Sequence, residues 1–373
     1  MEPNGKVNLL GLSQVQLEEF VEDIGESAYR GRQLFEWLYT KRATSFDGMT
    51  NLGKHFRSQL GRTAAIQGIS LVQQTFSPRD GTTKLLFELR DGLKIESVLI
   101  PPAVSFRDTG REQEDEQTRL TLCVSTQVGC PLDCAFCATG TMGFFRNLTP
   151  GEIVDQILQV RRLTGKSPTN IVFMGMGEPL LNYDNVMTSS GIIANGIGIA
   201  LKRITVSTAG RPDRIKQMAD EKRRLKLAVS LHSAVDTTRS RLMPINRKFP
   251  VNQLLDAVAY YYEQTRQRVT YEYIFFDGIN DTEQEVRALI RFARQVPCKI
   301  NVIPYHSIAF TGTTEATKHL RPSKRTEECV KELRAHHLTA MVRSNAGDDI
   351  DAACGQLAVR FAKQTRQEAV PTS

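Results

Sequence analysis

Apolar residues in the first quarter of the chain recur first at helical spacing and then at strand spacing. Leu17, Phe20, Val21 and Ile24 fall on one face behind Ser13, which is placed to cap a helix running to Glu22. A second helix is expected over 31–39, with Leu34, Trp37 and Leu38 inward, and a third over 52–60. Strand-like runs follow at 70–75, 84–89 and 93–99, separated by the turns Arg79-Asp80-Gly81 and Arg90-Asp91-Gly92. This reads as a small helical bundle followed by a short β-meander, with a polar connector after Pro101.

Beyond residue 117 the pattern alternates. Apolar strands are expected at 120–125, 170–174, 203–207, 226–231, 269–275 and 299–303, with helical stretches such as 150–163, 251–264 and 283–295 between them. Serial βα units imply a parallel sheet by the right-handed crossover rule. Six units fit a partial (βα)6 barrel better than a closed eight-fold one. The fold class is therefore α/β: a partial barrel with a small N-terminal helical domain and a short β-meander. The boundaries expected are an N-terminal accessory domain at 1–95, a connector at 96–117, a core barrel at 118–349 and a C-terminal segment at 350–373. In such folds the site lies at the C-terminal ends of the strands, so chemistry-bearing residues should follow strand candidates.

Charge sharpens this picture. The 373 residues carry a net charge of +7, with an isoelectric point of about 9.0, as suits a polyanionic partner such as RNA. Lys202, Arg203, Arg211, Arg214, Lys216, Lys222, Arg223, Arg224 and Lys226 crowd one stretch, and Arg321, Lys324 and Arg325 another. Residues 111–116 lean acidic and read as a solvated loop. No apolar run is long enough for a membrane span, and the first residues lack the pattern of a signal peptide. The expectation is a cytoplasmic protein, monomeric, without a membrane partner.

The seven cysteines do not suggest a disulfide scaffold, and four of them lie between Cys123 and Cys137. Cys130, Cys134 and Cys137 form a Cx3Cx2C loop directly after the first barrel strand. Three thiolates in one loop can bind three irons of a cubane and leave the fourth open. A four-cysteine zinc site would want a second pair. Other polar residues also fall at strand ends: Gly177 and Glu178 after the second strand, Ser207 at the end of the third, Ser230, Leu231 and His232 at the end of the fourth, and His306 after the sixth. Any one of these could be a helix cap or a satisfied core residue. Their shared position favours a common site.

The Cx3Cx2C loop with Phe136 before its last cysteine resembles the signature of radical S-adenosylmethionine (SAM) enzymes. That resemblance implies a [4Fe–4S] cluster on Cys130, Cys134 and Cys137. Its open iron would bind the amino and carboxyl groups of SAM, and Gly177, Glu178, Ser207, Ser230, Leu231, His232 and His306 would make the remaining SAM contacts. A narrower resemblance rests on Cys123-Val-Ser-Thr-Gln-Val-Gly-Cys130-Pro-Leu-Asp-Cys134-Ala-Phe-Cys137, on Phe173-Met-Gly-Met-Gly-Glu-Pro-Leu-Leu-Asn182, on Val229-Ser-Leu-His232, on Met243-Pro-Ile-Asn246 and on Gly347-Asp-Asp-Ile-Asp-Ala-Ala-Cys354-Gly-Gln356. These segments look like the RlmN-type family of dual-specificity adenine carbon-2 methyltransferases acting on 23S rRNA and tRNA. The stretch from Tyr29 to Trp37 is similar to that family's RNA-binding domain. Many members carry Asn where this chain has His306.

What the resemblance implies is a methyl shuttle that uses two SAM molecules per turnover. Cys354 takes a methyl from one SAM. A radical from the second activates that methyl, which adds to the adenine and transiently crosslinks protein and RNA. Glu96 accepts the ring proton; its apolar strand setting, Ile95-Glu96-Ser97-Val98, would raise its pKa toward that of a usable base. Cys123 then releases the product by forming a disulfide with Cys354, which an external reductant reopens. Cys298 and Cys329 match no motif and read as structural. The alternatives are an adenine carbon-8 methyltransferase of the Cfr type, a zinc-stabilised nucleic-acid-binding protein, and a thiol–disulfide redox protein using Cys123 and Cys354.

Overall fold

Ser13 opens the first helix, Gln14–Asp23, with a reciprocal cap: its hydroxyl accepts from Gln16 N and its own N–H donates to the Gln16 side chain. In the computed structural model, which describes residues 5–102, 119–308, 311, 318–343 and 345–357, a second helix, Tyr29–Phe35, widens into a π-type turn over Glu36–Thr40. A third helix spans Lys54–Thr63. The expected connector from 103 to 117 and the end of the C-terminal segment, 358–373, lie outside the described residues. Leu17, Val21, Leu34, Leu38, Phe56 and Leu60 form the buried face, while Trp37 stays half-buried. Strand β1 (Val7–Asn8) pairs parallel with β2 (Ala64–Ala65) and ties the two ends of this unit together. The unit docks through Gly11, φ +102°, where an added Cβ would run into the backbone of Gly151 at the start of helix Pro150–Thr164.

The remaining strands are β3 (Ser70–Phe76), β4 (Thr83–Glu88), β5 (Lys94–Ile100), β6 (Thr121–Cys123), β7 (Gln127–Gly129), β8 (Phe144–Asn147), β9 (Asn170–Phe173), β10 (Ile204–Thr208), β11 (Lys226–Ser230), β12 (Val269–Tyr273), β13 (Cys298–Val302) and β14 (Ala340–Val342). Ten of them make one sheet in the order β14-β13-β12-β11-β10-β9-β6-β5-β4-β3. From β6 to β14 all neighbours are parallel. The six expected barrel strands are β6 and β9 to β13; β14 adds a short seventh. The meander, grouped with the helices in the sequence reading, is hydrogen-bonded through β5 to β6 in antiparallel register and so continues the barrel sheet. Strand β5 is buried from Ile95 to Leu99, and a strand buried on both faces needs cover that a free hairpin lacks.

Helices fill the crossovers. Thr149 and Glu152 form a capping box at the start of Pro150–Thr164, and Gly165 ends that helix at φ +68°. Among the described residues no helix is long and apolar enough to cross a membrane.

Candidate active site

The loop after β6 carries the three clustered cysteines, and the hairpin of β7 and β8 pins it: Cys130 N donates to Gly143 O at 3.0 Å. Cys130, Cys134 and Cys137 are half-buried free thiols. All three border a cavity of about 130 Å³ at the C-terminal ends of the parallel strands, shared with Gly177, Glu178, Ser207, Ser230, His232 and Cys354. Burial pushes the Cys130 thiol up to about 12, with Cys137, Glu178 and Asp133 adding to the rise. Burial likewise raises Cys134 well above its ordinary value, with Cys137 and Cys130 adding to it and Arg239 opposing. Sulfurs raised in this way become thiolates when bound cations compensate their charge. Among the described residues no three His, Cys, Asp or Glu side chains gather as a single metal ion demands. A cubane takes its thiolates on separate irons, so this donor set fits a [4Fe–4S] cluster.

Phe136, between two of these cysteines, packs edge-on against the His232 ring at 4.5 Å and 65°. His232 takes a left-handed backbone, φ 53°, and its Nδ1 accepts from Ile274 N at 3.1 Å. Burial, with the Arg239 charge adding to it, pushes its imidazole down to about 3. The ring is therefore neutral and carries its proton on Nε2. Glu178 is buried; one carboxylate oxygen accepts from Ala209 N at 2.8 Å and the other from Leu180 N at 3.0 Å. It thus ties the end of β9 to the end of β10, while burial holds its pKa up. Gly177 has φ +96°, and a Cβ there would collide with the Gln127 side chain. Leu231 is the exception to the strand-end expectation: its side chain lies in the core, and its carbonyl faces Arg239.

A second cavity of about 100 Å³ lies beside the first. It is bordered by Val98, Ile100, Cys123, His306, Arg343 and Cys354. Met174, Ile303, Cys354 and Leu357 border both cavities. The Cys354 loop docks directly on the cysteine loop, with Ala138 N donating to Gly355 O at 2.6 Å. Cys354 is exposed, yet protein atoms crowd around its thiol. That surround pushes its thiol up to about 11, Cys137 adding to the rise and Arg343 opposing. Cys123 is pushed up to about 12, by burial first and by the nearby Cys354 second. Both cysteines are free thiols. Glu96 is buried in mid-β5, two and four residues from the cavity-lining Val98 and Ile100, so strand alternation puts all three on one face. Its Oε1 lies 3.8 Å from Lys84 Nζ. His306 borders this second cavity and not the first, and burial lowers its pKa.

Three site residues escaped the sequence reading. Arg239 is fully buried and donates to the carbonyls of Ala209, Ser230 and Leu231 and to Asn246 Oδ1, at 2.6 to 3.1 Å. It binds the ends of β10 and β11 to the segment Pro244–Arg247. Glu272 borders the first cavity from β12; Asn301 Nδ2 donates to its Oε1 at 3.0 Å, and Arg343 lies 3.8 Å from its Oε2. The strand-end test, applied to the apolar run around Val269–Tyr273, finds Glu272. Arg343 gives no such signal, because β14 before it has only three residues.

A parallel α/β sheet with a three-cysteine loop and a cavity at its strand ends defines the radical SAM class. The Radical SAM superfamily description matches residues 124–293, and the ribosomal RNA large subunit methyltransferase N-terminal domain matches residues 7–66. A crystal structure of a radical SAM methyltransferase from Sphaerobacter thermophilus superposes with a TM-score of 0.82 at 39% identity, covering 95% of this chain and 100% of that one. The probable dual-specificity RNA methyltransferase RlmN of Flavobacterium psychrophilum is 44% identical over 95% of this chain and 98% of its own length. The dual-specificity RNA methyltransferase RlmN of Alcanivorax borkumensis is 40% identical over 98% of this chain and 94% of its own. The chain belongs to the RlmN family of radical SAM RNA methyltransferases, a membership that implies a [4Fe–4S] cluster and SAM.

Proposed function

We propose that the chain methylates carbon 2 of adenosine in 23S rRNA and in tRNA, with Cys354 as the methyl carrier. The observation that carries this reading is the position of Cys354, which borders both the cavity of Cys130, Cys134 and Cys137 and the cavity of Cys123. A sulfur on that shared wall can serve methyl activation on one side and disulfide exchange on the other.

Bound over the three-cysteine loop, the cluster and SAM supply a carbon-centred radical, and a further SAM supplies the methyl, two per turnover. The remaining work belongs to side chains. Carbon 2 of adenine is electrophilic, so a methyl cannot be taken up by simple nucleophilic attack of the ring. Cys354 sulfur therefore holds the methyl carbon while it joins the base, giving a transient protein–RNA crosslink. Glu96 accepts the ring proton, and one electron leaves the adduct, as aromaticity returns. Cys123 sulfur attacks the Cys354 sulfur, the sulfur–carbon bond breaks, the released carbon takes up a proton as methyladenosine leaves, and a disulfide remains. An external reductant returns two electrons to it. Gly177, Glu178, Ser207, Ser230, His232 and the Leu231 peptide contact SAM, and His306 approaches from the cysteine side. The target base is drawn out of its stack into the barrel mouth. The protein acts as a monomer in the cytoplasm, with its N-terminal helical unit as an RNA-binding accessory domain and its C-terminal segment carrying Cys354.

The test is nucleoside analysis by mass spectrometry after incubating reconstituted protein, SAM and reductant with 23S rRNA and with tRNA. The product expected is 2-methyladenosine from both; 8-methyladenosine would move the chain to the Cfr type. Cys354→Ala is expected to lower product by at least ~10³-fold, since this reading makes its sulfur the methyl carrier. An unmethylated Cys354 in protein that cleaves SAM and modifies RNA would overturn the shuttle.

A further inference from the structure

The Cys354 loop has almost no regular structure to hold it. Gly347, Asp351 and Gly355 all take positive φ, at 72°, 52° and 87°, and among its described residues a 3-10 turn, Asp348–Ile350, is the only regular element. Besides its hydrogen bond to the cysteine loop at Gly355, it is held from the far end of the sheet, through the turn between β3 and β4 and the first residues of β4. Asp80 Oδ2 accepts from Gly347 N at 2.8 Å, Ser77 Oγ donates to Asp349 Oδ2 at 3.0 Å, and Arg79 lies 3.4 Å from Asp348. Lys84 Nζ donates to Asp351 O at 3.1 Å.

Lys84 does more than brace the loop. In the sheet register Lys84 stands opposite Val98, and Val98 stands opposite Cys123. Residues paired in this way share a face, so Lys84, Val98 and Cys123 form a row across three strands beneath Cys354. Glu96 lies one diagonal step away on the same face, its Oε1 3.8 Å from Lys84 Nζ. One ammonium therefore touches the strand of the base and the loop of the methyl carrier. Its side chain is only 17% exposed, so water screens it less than a surface lysine.

We propose that Lys84 is a positioning residue that locks the Cys354 loop to the strand bearing Glu96, so that the carrier sulfur is held over Cys123 in the geometry disulfide exchange requires. This deepens the shuttle reading and rests on it, but its test does not need RNA or SAM. Diamide accepts two electrons and two protons from a pair of thiols, so the rate at which it closes Cys123–Cys354 reports their mutual placement. With the cluster-loaded protein and mass spectrometry of the linked peptides, Lys84→Met is expected to close that disulfide at least ~5-fold more slowly. It should also let iodoacetamide reach Cys354 faster, with cluster content unchanged. Lys84→Arg keeps a cation of similar reach and is expected to restore both rates. Asp80→Ala, which removes a separate tie to the same loop, should slow closure in the same direction and decides the matter if Lys84→Met folds poorly. Wild-type rates in Lys84→Met and in Asp80→Ala, or a Lys84→Arg protein as slow as Lys84→Met, would overturn the proposal. A wild-type protein that closes the disulfide but makes no methyladenosine would instead count against the shuttle alone.

Discussion

His232 illustrates how burial sets chemistry one residue at a time. Its imidazole is held down to about 3 against an ordinary 6.5, first by burial and then by the Arg239 charge. The unfolded chain therefore binds a proton that the folded chain refuses. The stability from this group is complete above pH 6.5 and is lost as the pH falls toward 3, with a slope of about 1 kcal/mol per unit. Denaturant unfolding between about pH 7 and pH 5 should show that slope in the native protein and a shallower one in His232→Asn. An equal slope in both would mean that the ring takes up its proton inside the fold. The neighbouring Phe136 was legible from sequence as the aromatic of the cysteine motif; its edge-on packing against His232 was not, because the two belong to different strand-end loops.

Among elements, the strand-end loops form one linked assembly. Glu178 joins β9 to β10, Arg239 joins β10 to β11, and Gln127 Oε1 accepts from Glu178 N at 2.8 Å, bringing in the hairpin of β7 and β8. Gly177 sits at the point of closest approach, where a Cβ meets the Gln127 side chain and φ is +96°. Gly177→Ala should cost about 1–3 kcal/mol of stability, from backbone strain and displacement of Gln127. It should weaken SAM binding as well, because Glu178 moves with its loop. Denaturation midpoints and calorimetry with SAM test this; a stable variant with normal SAM affinity would show that the loop gives way freely. The βα alternation was readable because long apolar strands and amphipathic helices repeat. Strand β14 was not, since three residues carry no period. The junction of the meander with the barrel was hidden too, because a hydrophobic pattern says that β5 is buried but not against which neighbour.

At the scale of the whole molecule, parallel topology sorts charges that are adjacent in sequence. Lys202 and Arg203 precede β10 and Lys222, Arg223 and Arg224 precede β11, at the end of the sheet away from the cavities. Arg211 and Arg214 follow β10 at the cavity end. Exposed Arg247 and Lys248 follow β11 at that same end, and Lys248 and Arg211 both lie over the Phe249 ring, at 5.4 and 5.5 Å. RNA entering the mouth should therefore depend on Arg247 and Lys248 more than on Lys202 and Lys222. The paired change Arg247→Glu with Lys248→Glu should weaken RNA binding about tenfold or more at moderate salt and flatten its salt dependence, whereas Lys202→Glu with Lys222→Glu should do neither. Equal losses in filter binding would place the RNA across both ends of the barrel. The sequence by itself determined whatever is local: the helix caps, the strand and helix alternation, and three thiols that one loop can offer to a cluster because its ligands need no distant partner. Only the tertiary structure decided the shared cavity wall on which Cys354 stands, the reach of Lys84 to Glu96 and Asp351, and the division of the basic stretch between two ends of the sheet. The physical reason is that strand pairing and crossover connections, rather than distance along the chain, determine which side chains share a cavity.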